Sequence, residues 1–358
     1  MHAKPRPVTT LIVTLYVSSC LLIIGPHAAV RAQEQPPAAA AATERDRGVG
    51  LYKQGNIKEA VKALRAAVKQ NKADADAWYF LSLALNRDGD TKGARKAVEK
   101  SVQLRPDFAP ARTGHAYFLL LSNKLSDALR EAEAALSLDA RNAEAHYVAS
   151  VAHLRRNESD KALEEIQAAL DAKPDFAAAH LWKSQVLLAL YSERTDYAGN
   201  ESPEARAQRA KGSGDLLKGA AESLEKYLQL TPAPPKADVW REQLATLRVY
   251  AQNAKNAPED TRTVYSSKEV TTKPRILTRP EPQYTEEARH AGVSGTVVLR
   301  AVFAADGTVQ HILVVRSLPH GLTENALKAA RKIKFAPATK DGRPVSEFIQ
   351  IEYNFNLY

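Results

Sequence analysis

Four histidines are the first residues whose type and spacing invite chemistry. His146 and His153 stand two turns apart on one predicted helix, and His146 and His180 are 34 residues apart. Imidazoles so placed suit a divalent metal, but a zinc site needs three or four ligands at recognisable spacing. No cysteine or carboxylate completes such a set around His115, His146, His153 or His180. Nucleophilic and phosphate chemistry fare no better: the chain has no His-Glu-x-x-His, no Gly-x-Ser-x-Gly and no P-loop motif. The one cysteine, Cys20, lies in an N-terminal apolar run, which leaves the rest without disulfide or thiol chemistry. The expectation is a protein that is not an enzyme, with no catalytic residue, no cofactor and no metal.

Recognition remains, and two non-overlapping patterns supply its elements. Ala60, Ala94, Ala128 and Ala162 recur every 34 residues inside helical periodicity. Around Ala94, one helix carries Trp78, Leu81 and Leu85, Gly89-Asp90 makes a turn, and a second helix carries Ala94, Val98 and Ser101 until Pro106 stops it. A small residue is needed where two antiparallel helices approach most closely. The position of Trp78, His146 and His180 packs between helices in such a pattern. Shifts of 34 bring in Ala132, Ala135, Ile166 and Ala169 on one side and Leu51, Gly55 and Leu64 on the other. The pattern resembles the tetratricopeptide repeat (TPR) over residues 44–254. The implied fold is an all-α superhelix of about five repeats plus a capping helix. The fifth unit is split: its first helix runs near Ala177 to Leu190, its second carries Ala220, Leu224 and Tyr227, and a polar loop inserts at 192–214. Ala237 to Asn253 reads as an amphipathic cap over the open end.

The resemblance implies a groove that binds a peptide or protein. By repeat register Tyr79, Tyr117 and Tyr147, with Arg87 and Arg155, face it. The same tyrosines equally suit an inner face packed between repeats. Tyr79 and Leu83 stand where the chaperone-tail-binding class has Lys and Asn, which argues against a carboxylate clamp of that kind.

After a polar linker at 255–273 the period changes. Thr285 can cap a short helix with Glu286 and Glu287 at its positive end. Gly295 to Ala304 alternates as a strand, Ala305-Asp306-Gly307 is a hairpin turn, and Thr308 to Val315 is a second strand. Thr323 opens a helix lined by Ala326, Leu327, Ala330 and Ile333, and Val345 to Leu357 is the last strand. Along it Ile349, Ile351, Tyr353, Phe355 and Leu357 face a core while Gln350, Glu352, Asn354 and Asn356 face the other side. Pro282-Gln283-Tyr284, Gly295-Thr296-Val297, Asp306-Gly307-Thr308-Val309, Ala326-Leu327, Phe335-Ala336-Pro337-Ala338 and Gly342-Arg343-Pro344-Val345 are similar, in order, to the C-terminal domain of TonB energy transducers over 274–358. Thr285 and Ile333 depart from residues common in that family (Pro and Trp). The resemblance implies a small α+β domain with a three-stranded antiparallel sheet and two helices. It also implies that an extended partner segment pairs beside the last strand. Glu347, Ile349, Ile351, Tyr353 and Phe355 would form that edge, with Glu281, Pro282, Gln283 and Tyr284 as the second contact. Proline at Ile351 should then block the ladder. Cover of the edge by the protein's own linker, or by exchange in a homodimer, is the competing reading.

The N-terminus shapes the rest of the expectation. Lys4 and Arg6 precede an apolar run, Leu11 to Gly25, followed by Val30-Arg31-Ala32. Residues 1–32 read as a signal peptide or, at about 15 apolar residues, as a short uncleaved membrane anchor. Residues 33–43 are an Ala/Pro-rich tether. The chain of 358 residues carries a formal charge of +9, and losing Lys4, Arg6 and Arg31 with no acid lowers it to +6. No basic stripe interleaved with aromatics appears, so nucleic acid is not an expected partner. The reading is a periplasmic adaptor whose TonB-like domain docks an outer-membrane transporter or other envelope protein while the repeats recruit a second protein. The alternative is an inner-membrane-anchored transducer coupled to the ExbB–ExbD motor. The apolar run lacks the histidine that the transducer resemblance would require, since His27 lies outside it.

Overall fold

The computed structural model describes residues 44–195, 212–234, 237–252, 264–290, 292–318 and 320–356. The export or anchor segment, the tether, most of the 192–214 insert, the first half of the 255–273 linker and Leu357 lie outside the described residues. Two compact units contain the rest: residues 44–156 with 164–174, and residues 157–163 with 175 onward.

Helical hairpins build the first unit. They use α1 (Glu44–Lys53), α2 (Ile57–Gln70), α3 (Ala75–Asp88), α4 (Thr91–Leu104), α5 (Ala109–Leu121), α6 (Leu125–Leu138) and α7 (Ala143–Arg155), with the later part of α8 (Ser159–Ala172). The alanine column is fully buried: Ala60, Ala94, Ala128 and Ala162 are each 0% exposed. A second small column, unread in the sequence, runs through Gly48, Ser82, Ala116 and Ser150. At Gly48 an added Cβ would lie 2.6 Å from Leu64 Cγ, so the helices cross too closely there for any side chain. Each hairpin turns through a left-handed residue at the same register, Gly55, Gly89, Asn123 and Asn157. Glycine, and next asparagine, tolerate that conformation best. Asp74, Asp90 and Asn142 cap α3, α4 and α7 by accepting the backbone N–H of Ala77, Gly93 and Ala145.

The second unit begins with α9 (Ala177–Thr195), α10 (Ser213–Leu230) and α11 (Ala237–Gln252). Helix α9 runs a full turn past the expected Leu190. The first two residues of that extra turn are buried, with Tyr191 and Ser192 7% and 6% exposed. The C-terminal part contains β1 (Val264–Tyr265), β2 (Arg275–Thr278), α12 (Glu286–His290), β3 (Gly295–Phe303), β4 (Val309–Arg316), α13 (Leu322–Ala330), β5 (Lys334–Ala336), β6 (Ala338–Lys340) and β7 (Arg343–Phe355). The three expected long strands are present in the order β7-β3-β4. The expected three-stranded sheet is nevertheless larger: β1 adds in parallel to β7, β6 forms a hairpin with β7, and β2 pairs with β5 apart from them. Residues 264–273 are therefore not a featureless linker, because Val264 and Tyr265 pair with Ser346 and Glu347, and Thr272 bridges Thr339.

One sheet face packs on α12 and α13 around Val297, Leu299, Ala301, Phe303, Ile351, Tyr353 and Phe355. Phe303 and Phe335 stack there at 4.1 Å. Thr285 caps α12 as expected, accepting from Ala288 N–H. Helix α13 starts one residue before the expected Thr323, at Leu322 after Gly321 in a left-handed conformation, and the buried Thr323 hydroxyl ties to Leu318. The opposite face holds Gln350, Glu352 and Asn354 on β7, all three exposed, but Val298 and Val302 of β3 are buried. Helices α9 and α11 cover β4 on this side. Ser192 donates to Val315 O at 2.7 Å, Arg300 bonds the Tyr191 hydroxyl at 2.5 Å, and Tyr250 of α11 packs 4.8 Å from Phe348. Helix α11 is therefore a platform for the sheet rather than only a cap over the last repeat.

Candidate functional site

Backbone groups, not side chains, make the first candidate site. The edge of β7 opposite β3 is positioned by the β6–β7 hairpin, whose turn residues Asp341 and Gly342 both have positive φ. In a two-residue turn of this kind the flanking pair, Lys340 and Arg343, is hydrogen-bonded. Odd-numbered residues of β7 then point their N–H and C=O groups toward β6 and β3, and even-numbered residues point them the other way. An independent contact agrees: the Arg279 guanidinium donates to the outward carbonyl of Glu352. Pro344, which has no N–H, occupies an even position and costs no ladder bond.

That alternation refines the expected site. Glu347, Ile349, Ile351, Tyr353 and Phe355 direct their backbone to β3, with which Glu347 to Phe355 pair in unbroken register from Phe303 to Gly295. Their side chains face the core, and Ile351, Tyr353 and Phe355 are at most 4% exposed. The outward groups belong to Ser346, Phe348, Gln350, Glu352 and Asn354. Ser346 is met by β1 and Glu352 by Arg279, which leaves Phe348, Gln350 and Asn354 with no strand beside them among the described residues. Proline at Ile351 would break the β3 ladder, so it is not the right block for the edge.

The second expected contact lies at the far end of the same strand. Tyr284 packs edge-to-face on Phe355 at 5.7 Å, and its hydroxyl donates to Val293 O. Gln283 O accepts from Asn325 at 2.8 Å, and Glu281 is exposed. Residues 279–284 thus run alongside the end of β7, and the structure brings both expected contacts to one place. Glu347 stands out where β1 meets β7. It is 0% exposed, with no hydrogen bond of ordinary geometry to either carboxylate oxygen. Burial pushes its pKa up, against weaker downward pulls from Ser267 and Lys273.

The repeat-face residues fall differently. Tyr79, Tyr117 and Tyr147 are 7%, 5% and 5% exposed. Tyr79 sits edge-on to Phe80 and Phe108 at 5.4 and 5.1 Å, and burial pushes its pKa above the usual phenol range. Their rings pack between helices and offer a ligand little area. Arg87 is exposed over the Tyr52 ring, and Arg155 donates to Leu120 O at 2.9 Å, with its pKa lowered by burial. Of the histidines, His146 bonds Glu165 at 2.7 Å and Ala140 O at 3.2 Å, which engages both ring nitrogens, and its pKa is raised chiefly by Glu165. No cluster of three or more metal-ligating side chains occurs among the described residues.

With this geometry in view, the comparisons define the class. Residues 280–357 match the family described as the Gram-negative bacterial TonB protein C-terminal domain, and residues 45–107, 119–175 and 152–215 match the tetratricopeptide repeat. Two regions of the chain are thus similar to known families, the tetratricopeptide repeat within 45–215 and the TonB C-terminal domain over 280–357. Among curated proteins it is similar to Protein TonB of Vibrio cholerae serotype O1, 31% identical over 100 residues, covering 26% of this chain and 41% of that one. The chain therefore spans about two-fifths of the curated relative it matches. Similar solved structures include the MamA protein (19% identity, TM-score 0.40, covering 54% of this chain and 96% of that one). Another is a thermophilic TPR protein of Thermus thermophilus (20%, 0.39, covering 57% and 97%). A third is YrrB, titled a TPR protein with an unusual peptide-binding site (15%, 0.38, covering 55% and 88%). Both matched families are non-catalytic protein-interaction domains, and together they support an interaction role in a Gram-negative cell envelope. No described helix is long and apolar enough to cross a membrane.

Proposed function

We propose that the protein is an envelope adaptor: its TonB C-terminal domain docks an outer-membrane transporter or another envelope protein by strand addition to the outer edge of β7, and its helical repeats hold a second protein. The observation that carries this reading is the edge itself. Unpaired N–H and C=O groups at Phe348, Gln350 and Asn354 are a template that an extended segment can satisfy, at roughly 1 kcal/mol net per hydrogen bond. The chain's own segment partly occupies it, through β1 at Ser346 and Arg279 at Glu352, so an incoming strand competes with those contacts. On the repeat side exposed Arg87 is the residue to test, since replacing Tyr79 and Tyr147 would remove buried packing.

Glu352→Pro is the discriminating variant. It deletes an outward N–H while sparing the β3 ladder, as proline on a solvent-facing edge allows. Ile351→Pro deletes an inward one. Binding of an extended peptide from the periplasmic N-terminal segment of an outer-membrane transporter should be lost in Glu352→Pro with the melting temperature nearly unchanged, whereas Ile351→Pro should unfold the domain. Undiminished binding by a folded Glu352→Pro protein rejects strand addition at this edge. The anchored-transducer alternative rests on the apolar run Leu11 to Gly25. An intact mass beginning at Gln33 in the soluble periplasmic fraction would exclude it.

A further inference from the structure

The first interval of the repeat array departs from the others in a way that makes a site. In later intervals the residue that opens each first helix is paired across to the following second helix: Arg112 with Glu131 at 2.8 Å and His146 with Glu165 at 2.7 Å. The same spacing from Trp78 arrives at Ala97, which offers no carboxylate. The basic side chains also give way to neutral or acidic ones along the later second helices. Arg65 has Glu99 and Glu133 at its repeat-equivalent positions, and Lys69 has Gln103, Ser137 and Asp171.

The result is a pocket between α2 and α4, beside the start of α3. Its floor is Trp78, Val68 and Leu104, and its rim carries Arg65, Lys69, Lys72 and Lys100. No acidic side chain lines it. All four cations are exposed, and the nearest carboxylate to any of them is a long contact, Arg65 to Asp90 at 3.9 Å. Glu99, next to Lys100 in sequence, is turned toward Arg95 at 3.8 Å. Trp78 is half-buried and held in place by its indole N–H, which donates to Lys72 O at 3.0 Å. Trp182 and Trp240, the other two tryptophans, are 3% and 5% exposed.

We propose that this pocket binds an acidic peptide segment of a protein partner, with an aromatic or aliphatic side chain seated on the Trp78 face and flanking carboxylates on the rim cations. Fixed aromatic area surrounded by same-sign charge is the chemistry of an anchored, electrostatically steered contact. The cations ring a recess instead of spreading over a plane, which favours a peptide side chain over a lipid surface. The site lies on the side of the second helices, away from Tyr79 and Tyr147, and does not depend on strand addition at β7.

Tryptophan quenching tests it on the full chain. Iodide, an anion drawn to the rim, should quench Trp78 more than caesium does, and Trp78→Phe should remove that difference. The probe is the hexapeptide Glu-Glu-Phe-Glu-Asp-Phe, with controls in which Lys replaces the acids or Ser replaces both Phe, and vesicles containing phosphatidylglycerol. The acidic aromatic peptide should shield Trp78 saturably, both controls should not, and affinity should fall at least about tenfold in 0.5 M salt. Lys69→Glu with Lys100→Glu, both at exposed positions, should weaken binding by about tenfold or more while helicity and melting stay unchanged. The single Lys72→Glu variant repeats the test should the pair misfold. No saturable shielding, equal binding by the charge-reversed variants, or shielding by vesicles alone would overturn the proposal.

Discussion

Glu347 is the residue whose chemistry is most at odds with its surroundings. Burial of this carboxyl outweighs the pulls of Ser267 and Lys273 and favours its protonated form, so the folded state binds the proton more tightly than the unfolded chain does. Stability of the C-terminal unit should therefore be greatest below the unfolded carboxyl pKa of about 4.3 and fall as pH rises from there through the raised folded value. Glu347→Gln keeps the shape and removes the titration. Its thermal melts should lose that fall, and at pH 7 it should be the more stable protein; an unchanged pH profile would show that Glu347 is solvated or paired. The sequence places Glu347 on the core-facing alternation of β7, but periodicity treats it as one charge at the end of an apolar run. The strand that pairs beside it, β1, has two residues and is too short to leave a periodic signal.

At the scale of elements, legibility divided along local and distant contacts. The 34-residue alanine column, the Thr285 cap and the Asp306-Gly307 hairpin were readable because each is settled within a turn or one hairpin. In that hairpin Asp306 accepts from Thr308 N–H and Gly307 has φ of 83°. Pairing of β1 with β7 and of β2 with β5 was not readable, because a strand of two to four residues is specified by the neighbour that receives it. The candidate edge was legible as a strand, yet which alternate residues it offers followed only from the hairpin register and Arg279. Arg279 is thus the element-level control. It lies over the Tyr353 ring at 5.0 Å and occupies the Glu352 carbonyl, both of which an added strand would disturb. Arg279→Ala should tighten peptide addition at β7, by about threefold to tenfold if one charge-assisted bond is given up. Weaker binding in that variant would mean that Arg279 contacts the partner itself.

Across the molecule, the second unit packs terminal repeat helices against the C-terminal sheet. Ser192 and Val315, 123 residues apart, are bonded, and Arg331 reaches Glu242 at 2.9 Å, so no local pattern could have announced the junction. Its consequence is that the sheet cannot be removed as a passive tag. Deleting residues 264–358 would uncover Tyr191 and Tyr250 and leave α9 to α11 without their cover, so a lost repeat partner in that truncation would report unfolding as readily as docking. Tyr250 separates the two. Its ring is 5% exposed against Phe348, while its hydroxyl is buried with no partner. Tyr250→Phe keeps the packing and removes an unsatisfied donor, so it should be neutral or stabilising by up to about 1 kcal/mol. Tyr250→Ala leaves a cavity between α11 and β7 and should cost about 3 kcal/mol. Calorimetry should then resolve the helices and the sheet as two transitions where the parent and Tyr250→Phe melt as one. If Tyr250→Ala also melts as one, the Tyr250–Phe348 contact is not what couples them, and the bonds through Ser192 and Arg300 become the connection to cut next.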